Sequence, residues 1–283
     1  MKLNQALARA RGVLADNAIE DASLEGELLL RHVLGKDRTQ LYLDLNQELG
    51  PAHEEVFYRL IERRLRGEPS AYITGHREFY GLDFYVDRGV LIPRPESELL
   101  VERALNLAQN RPISTVADIG TGCGAIAISL ALSLPEARVY ATDVSERALE
   151  IARLNCQRHG VTDRISLLQG DMLEPLPEPV DLIIANLPYV RESDLPRTGP
   201  LSFEPVLALD GGPDGVEKID RLCHQACQGL RSGGCLILEI GQGQGKRVTA
   251  ILHKVFPSAE IEVSADLAGI ERVVSLRLTR DCF

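Results

Sequence analysis

Residues Asn186-Leu187-Pro188-Tyr189 follow the apolar run VDLIIA and combine a primary amide, a rigid backbone and an aromatic ring. The Asn186 side-chain oxygen and a backbone carbonyl near Leu187 or Pro188 offer two acceptors a few residues apart. Such a pair can take both hydrogens of a conjugated NH2, as in a glutamine amide or an adenine amine, whose delocalised lone pair is a poor nucleophile. Holding both N–H bonds aims the lone pair and stabilises the positive charge that develops as the nitrogen is alkylated. Pro188 fixes the local backbone, and Tyr189 offers a flat face to a planar group. Asn186, Pro188 and Tyr189 are thus candidate catalytic residues, and Asn186, Leu187, Pro188 and Tyr189 candidate substrate contacts. Alone, the tetrapeptide also fits a proline loop with an aromatic anchor; the order of the motifs around it favours chemistry.

The second constellation lies upstream, where TVAD runs into IGTGCGAIAISLA and places Asp118, Gly120, Thr121, Gly122, Cys123 and Gly124 between a strand and a helix. A tight turn without Cβ atoms lets a ligand approach the backbone at a helix N-terminus. Asp143 stands nineteen positions beyond Gly124, at the end of the next strand, where a carboxylate can accept both hydroxyls of a ribose. Gly120, Gly122 and Ala125 also satisfy a dinucleotide fingerprint, so the turn alone leaves a nicotinamide cofactor and S-adenosyl-L-methionine both open. Asp118 separates them: a carboxylate suits the ammonium of a methionine moiety and would be unwelcome beside a pyrophosphate. In LLQGDML, Asp171 can accept from an adenine amine while Met172 lies against the ring, although an Asp that merely begins a turn reads the same. Asn186, between donor and substrate, counts among the cofactor contacts too. A sulfonium donor is already activated, so no metal is expected.

These groups need elements to hold them. Residues 1–75 read as a small helical bundle expected to recognise substrate, since apolar residues recur at three and four spacings in LNQALARARGVLA, LEGELLLRHVLG and VFYRLIERRL. Gly35 and Gly67 are expected just past helix ends. Residues 76–95 alternate aromatic and β-branched with polar residues around Gly81 and Gly89, predicting a hairpin linker. From 96 to 283, strands are predicted at 114–118, 138–143, 165–169, 180–186, 234–240, 261–264 and 272–278, most of them separated by helical patterns. The fold class is α/β: a Rossmann-like, mostly parallel seven-stranded sheet with an antiparallel last strand, carrying the cofactor site.

The chain has 283 residues, 25% of them charged, with a net charge of −10. Residues 1–80 hold 11 of its 31 basic and 13 of its 41 acidic side chains, so most of the negative charge falls in the later part. Phosphate binding needs a basic patch. The one cluster, Arg63, Arg64 and Arg66, sits near Glu62 and Glu68 and reads as a solvated helix face. The N-terminus has no apolar secretory core, and no run approaches the ~18 apolar residues of a membrane span. A cytoplasmic monomer without membrane or direct nucleic-acid partners is expected. Of six cysteines, Cys223 and Cys227 flank His224 at half a zinc spacing but lack a second ligand pair, so buried helix positions are expected.

The order DIGTGCG, TDVS, NLPY and LEIG resembles class I methyltransferases of the amino-group branch. Beyond it, GEPSAYITGHREFYGLDFYVDRGVLIPRPESELLVE, FEPVLALDGGPDG and LILEIGQGQG resemble the HemK/PrmC family over nearly the whole chain. That resemblance implies S-adenosyl-L-methionine as cofactor, S-adenosyl-L-homocysteine as product, and class-1 peptide chain release factors as partners, methylated on N5 of the GGQ glutamine. It places the donor on Gly120 to Gly124 and Asp143, with Met172 flanking adenine, and the glutamine on Asn186 to Tyr189. Leu187 departs from the usual first proline, and Phe203 from a frequent tyrosine. An N6-adenine methyltransferase, a ribosomal-protein glutamine methyltransferase and a catalytically silent cofactor-binding module are the alternatives. The first would need base flipping and a basic channel, which the acidic balance disfavours.

Overall fold

The computed structural model describes residues 1–279, which fall into two compact units: Met1–His76 with Thr198–Phe203, and Arg77–Arg197 with the residues from Glu204 on. Cys282 lies outside the described residues, and the other five cysteines are free thiols.

The first unit comprises α1 (Leu3–Asp16), α2 (Ala22–Leu34), α3 (Arg38–Leu43), α4 (Pro51–Leu65) and α5 (Ser70–Thr74). Leu3, Ala6, Ala10 and Leu14 recur on one face of α1 and are buried. Small residues let α2 approach closely, since a Cβ on Gly26 would stand only 3.5 Å from that of Ala10. Leu29, Leu30, Phe57 and Ile61 complete this core. Gly35 closes α2 in the left-handed region expected of a residue past a helix end. The basic cluster departs from expectation. Arg66 pairs with exposed Glu62, but Arg64 is only 8% exposed and its Nε lies 3.1 Å from Glu25 Oε2. Arg64 falls on the stripe of α4 that Phe57, Leu60 and Ile61 bury, where a guanidinium persists only if paired.

A hairpin of β1 (His76–Phe79) and β2 (Leu82–Tyr85) follows, with all but His76 in the second unit. Tyr80 and Gly81 both have positive φ, 52° and 73°, as a type I′ turn requires. The remaining elements are α6 (Glu98–Asn110), β3 (Thr115–Ile119), α7 (Ala125–Ser133), β4 (Arg138–Asp143), α8 (Glu146–Arg158), β5 (Ile165–Gln169) and β6 (Val180–Ala185). They are followed by α9 (Glu217–Gly229), β7 (Leu230–Glu239), α10 (Gly245–Val255), β8 (Glu260–Ala265) and β9 (Glu271–Arg277). The sheet order is β5-β4-β3-β6-β7-β9-β8. β3 to β7 pair in parallel, and β9 runs antiparallel to both β7 and β8, giving the expected doubly wound sheet with its reversed last strand. β7 starts four residues before its predicted 234, because the chain bulges around Gly233 and Gly234: Val180 opposes Leu230, but Leu182 already opposes Cys235. Addition of strands on both sides of β3 creates a crevice beyond its carboxyl end, the usual ligand position in such sheets.

One buried amide ties three pieces of this unit together. Asn155 on α8 accepts from Tyr85 N at 2.8 Å through Oδ1, and its Nδ2 donates to Tyr85 O at 3.0 Å and to Cys123 O at 2.9 Å. Asn155→Ala leaves those backbone groups unpaired in the interior. The expected loss is about 3 kcal/mol, or roughly 10 °C in thermal denaturation; a shift under about 2 °C would mean that these bonds carry little of the stability.

Candidate active site

Parallel register brings the motifs to one edge. Ile119 pairs with both Thr142 and Ala185, and Asp143 pairs with Gln169, so the residues that follow β3, β4, β5 and β6 leave the sheet together. The pocket there is walled by Gly120, Gly122 and Asp143 on one side and by Asp171, Met172, Asn186, Leu187 and Pro188 on the other. Asp118, Thr121, Cys123, Gly124 and Tyr189, predicted with them, stand outside its wall.

The amides of Gly120 and Thr121 both donate to Thr142 O at 2.9 Å, pinning the turn to β4. Gly120 adopts φ 70°, and a Cβ there would meet the Leu187 side chain at 3.3 Å, so conformation and packing both demand glycine. Asp118, 1% exposed, braces the turn from behind: its Oδ2 accepts from Thr121 Oγ1 at 2.7 Å and Ala127 N at 3.2 Å. Its Oδ1 is buried without a hydrogen-bond partner among the described residues. Burial pushes the Asp118 carboxyl up to about 7 against those two donors. Asp143 accepts from Gly122 N at 3.0 Å and Ser145 N at 2.9 Å, yet burial still holds it above the ordinary carboxylate range.

The Asp171 carboxylate is paired with Arg221, so the expected ligand acceptor already has a partner. Met172 is 6% exposed and adopts φ 52°, a conformation a bulky side chain avoids unless its surroundings impose it. Asn186 Nδ2 donates to Ser97 Oγ at 2.9 Å, leaving Oδ1 as the end that can accept from another group. Tyr189, expected to offer its ring to a planar group, stands outside the wall of this pocket. Its hydroxyl donates to Glu239 Oε1 at 3.3 Å, and burial beside that acid keeps the phenol protonated well above its usual range. Gln244 Nε2 donates to Tyr189 O and Gly215 O, each at 3.0 Å, and fastens the loop from its other side. A Cβ on Gly211 would stand 2.8 Å from Pro188 O, so that carbonyl faces a packed glycine.

Several residues escaped the sequence analysis. Pro205, Leu207 and Ala208 close another side of the pocket. They follow buried Glu204, which accepts from Ile92 N at 3.1 Å and pairs with Arg94. Ser97 and Glu239 lie beneath Asn186 and Tyr189. An acid at the end of the otherwise apolar run CLILE was the one local signal for Glu239. Cys223 is buried in the core beside the sheet, as expected, and its thiol is pushed up to about 12, whereas Cys227 is only half-buried.

Residues 5–75 match the PrmC N-terminal domain family and residues 95–198 the methyltransferase small domain family. The release factor glutamine methyltransferase of Moorella thermoacetica is 44% identical over 274 residues, covering 96% of this chain and 97% of that protein. That of Geobacter sulfurreducens is 39% identical over 279 residues, covering 98% and 96%. The chain belongs to the release factor glutamine methyltransferase family. A solved structure of the T. thermophilus 16S rRNA N2 G1207 methyltransferase with AdoMet and guanosine aligns at a TM-score of 0.54 and 18% identity, over 72% of this chain and 49% of that one. At that identity the likeness is one of fold. As in that fold generally, the crevice of this family member lies beyond the carboxyl ends of the parallel strands.

Asp118 and Glu239 are both raised to about 7 by burial. The native state therefore keeps protons that the unfolded chain releases near pH 4, and this contribution to stability is lost as pH rises through about 7. Thermal denaturation without ligand should show the melting temperature falling between pH 5 and 8 and a flatter fall in Asp118→Asn; an identical slope in that variant would contradict a protonated Asp118.

Proposed function

We propose that the protein transfers a methyl group from S-adenosyl-L-methionine to N5 of the glutamine in the GGQ loop of class-1 peptide chain release factors, as its family name implies. The observation that carries this reading is the tethered Asn186 amide, whose nitrogen is bound to Ser97 and whose oxygen is left to accept. Asn186 Oδ1 takes one hydrogen of the glutamine NH2. With Pro188 O against Gly211, the Leu187 carbonyl is assigned the other. Two acceptors keep the nitrogen lone pair out of their own plane and aimed in one direction, and they stabilise the nitrogen as it gains positive charge. S-adenosyl-L-methionine supplies a methyl on a sulfonium, whose C–S bond breaks with its electron pair going to sulfur as the N–C bond forms; the nitrogen then gives up one proton to solvent.

The residues present fit that donor. The Asp143 carboxylate, already aligned by two amides at the end of β4, suits a ribose diol. The Gly120 to Gly124 turn admits close backbone approach, and Met172 offers a soft apolar surface to adenine. Asp118 holds the turn through Thr121 and Ala127, and its unpartnered Oδ1 can accept from a cationic amino group, whose charge would favour the ionised form of the acid. The helical residues 1–75 are assigned to gripping the rest of the release factor. The negative charge of the later part of the chain favours a partner loop built to meet RNA.

Mass spectrometry of a release factor incubated with this protein and isotopically labelled donor should find a single methyl group on the GGQ glutamine; an unlabelled glutamine would refute the assignment. Asn186→Ala should lower turnover on the order of a hundredfold or more while donor binding survives. Asp143→Ala should instead weaken donor binding by about 1.5 to 3 kcal/mol, measured by titration calorimetry.

A further inference from the structure

An asparagine amide has two ends of nearly equal size and opposite function, and rotating it by half a turn replaces an acceptor with a donor. At Asn186 the wrong end would point N–H groups at a substrate NH2. Something must fix the choice, and packing cannot, because the two ends have almost the same shape.

We propose that Glu239 and Ser97 are positioning residues for the methyl transfer: a buried acceptor-only carboxylate orders the hydroxyls above it so that the oxygen of Asn186, and not its nitrogen, faces the glutamine. This rests on Asn186 as the acceptor of the substrate amide hydrogens. Ser97 is 3% exposed and accepts from Asn186 Nδ2 at 2.9 Å. Its hydroxyl also neighbours the Glu239 carboxyl, as does that of Tyr189 at 3.3 Å. Above about pH 7 the Glu239 carboxyl is ionised and can only accept, so it draws the Ser97 proton toward itself and turns a Ser97 lone pair to Asn186. That lone pair can be met only by the Asn186 NH2. The same acid anchors Tyr189, at the other end of the tetrapeptide, so one group holds the loop at its first and last residues.

Glu239 is 2% exposed, and its Oε2 is buried without a hydrogen-bond partner among the described residues. Desolvation raises its carboxyl to about 7 against the hydroxyls of Ser97 and Tyr189, and the charge of Glu96 adds to that rise while Arg272 opposes it. A group kept only for folding would not be an acid in this place, since a neutral side chain of the same shape avoids the cost of burying charge.

Two substitutions remove the device with little change of volume. Ser97→Ala deletes one oxygen, and Glu239→Gln replaces the acceptor-only end by an amide that both donates and accepts. Each is expected to lower kcat on labelled release factor by on the order of tenfold. In assays at pH 8, where the Glu239 carboxyl is ionised, the KM for S-adenosyl-L-methionine should stay at its wild-type value, and Ser97→Thr, which keeps the hydroxyl, should recover most of the rate. Unchanged kcat in Ser97→Ala, or a Ser97→Thr as slow as Ser97→Ala, would overturn the proposal. So would a kcat loss in Ser97→Ala matched by an equal loss of affinity for S-adenosyl-L-methionine. Should Glu239→Gln not fold, the Ser97 pair decides alone. Asn186→Ala assayed alongside separates the two levels: full turnover there removes the acceptor itself, whereas loss there with full turnover in Ser97→Ala removes only the ordering chain.

Discussion

Parallel pairing fixes where strands end, and the site depends on that. Ile119 stands beside Thr142 on one side and Ala185 on the other, so the peptide after β3 and the peptide after β6 leave the sheet at one level. A register slip by one residue would carry every side chain of β6 to the opposite face and move Asn186 away from Gly120. The near-continuous burial of β3 and β6 makes such a slip costly, because each presents apolar residues to both flanking layers. The geometry of the crevice is thus set by the packing of Val116, Ala117, Leu182 and Ile184, which are buried in the sheet and lie outside the pocket wall. The tight turn can then be short, because strand pairing has already done the long-range work.

Burial beneath that edge shapes its electrostatics. Asp118 and Glu239 are nearly inaccessible and both rise toward neutrality for the same reason, desolvation, although donors pull each of them back down. Their partners differ in consequence. Asp118 spends its hydrogen bonds on Thr121 and Ala127, hence on the backbone path of the turn, while Glu239 meets side chains of the loop after β6. One acid therefore shapes the wall assigned to the donor and the other the wall assigned to the acceptor. Asp143, more heavily hydrogen-bonded by amides, marks the transition between a bracing acid and one lying on the pocket surface.

What could be read from the sequence follows the range over which each feature is determined. Glycines that must take positive φ, an asparagine before a rigid proline and an aspartate closing an alternating apolar run are local facts, and the structure places Gly120, Gly122, Asp143 and Asn186 around one pocket. The order of elements and the reversed last strand were legible because hydrophobic period and loop length decide them. Arg64 was misjudged because its neighbours in sequence are solvated, while its partner Glu25 lies 39 residues away. Tyr189 has the same long-range character: an aromatic beside a proline suggests a stacking face, and nothing near it in sequence announces that Glu239, 50 residues further on, takes its hydroxyl. Ser97 and Pro205 to Ala208 lie in segments that carry the family resemblance, but their residue types mark no chemical role, since that role comes from elements that meet only in the fold.

Leu187 shows how a departure from a motif can be absorbed. A proline at that position would restrict φ and help keep the Asn186 backbone extended. Leucine gives up that restriction, yet its side chain is 6% exposed and packs where a Cβ on Gly120 would have stood. Burial of a leucine side chain is worth about 1.5 to 3 kcal/mol, enough to offset the backbone freedom of one residue at about 1 to 2 kcal/mol. Pro188 still fixes the following φ, and Gln244 grips the Tyr189 carbonyl. The loop is therefore held at its middle by apolar packing, at one end by the hydroxyl and acid beneath Asn186, and at the other by an amide clamp. The substitution exchanges a covalent constraint for a packing one, and couples the conformation of the tetrapeptide directly to the glycine turn that faces it.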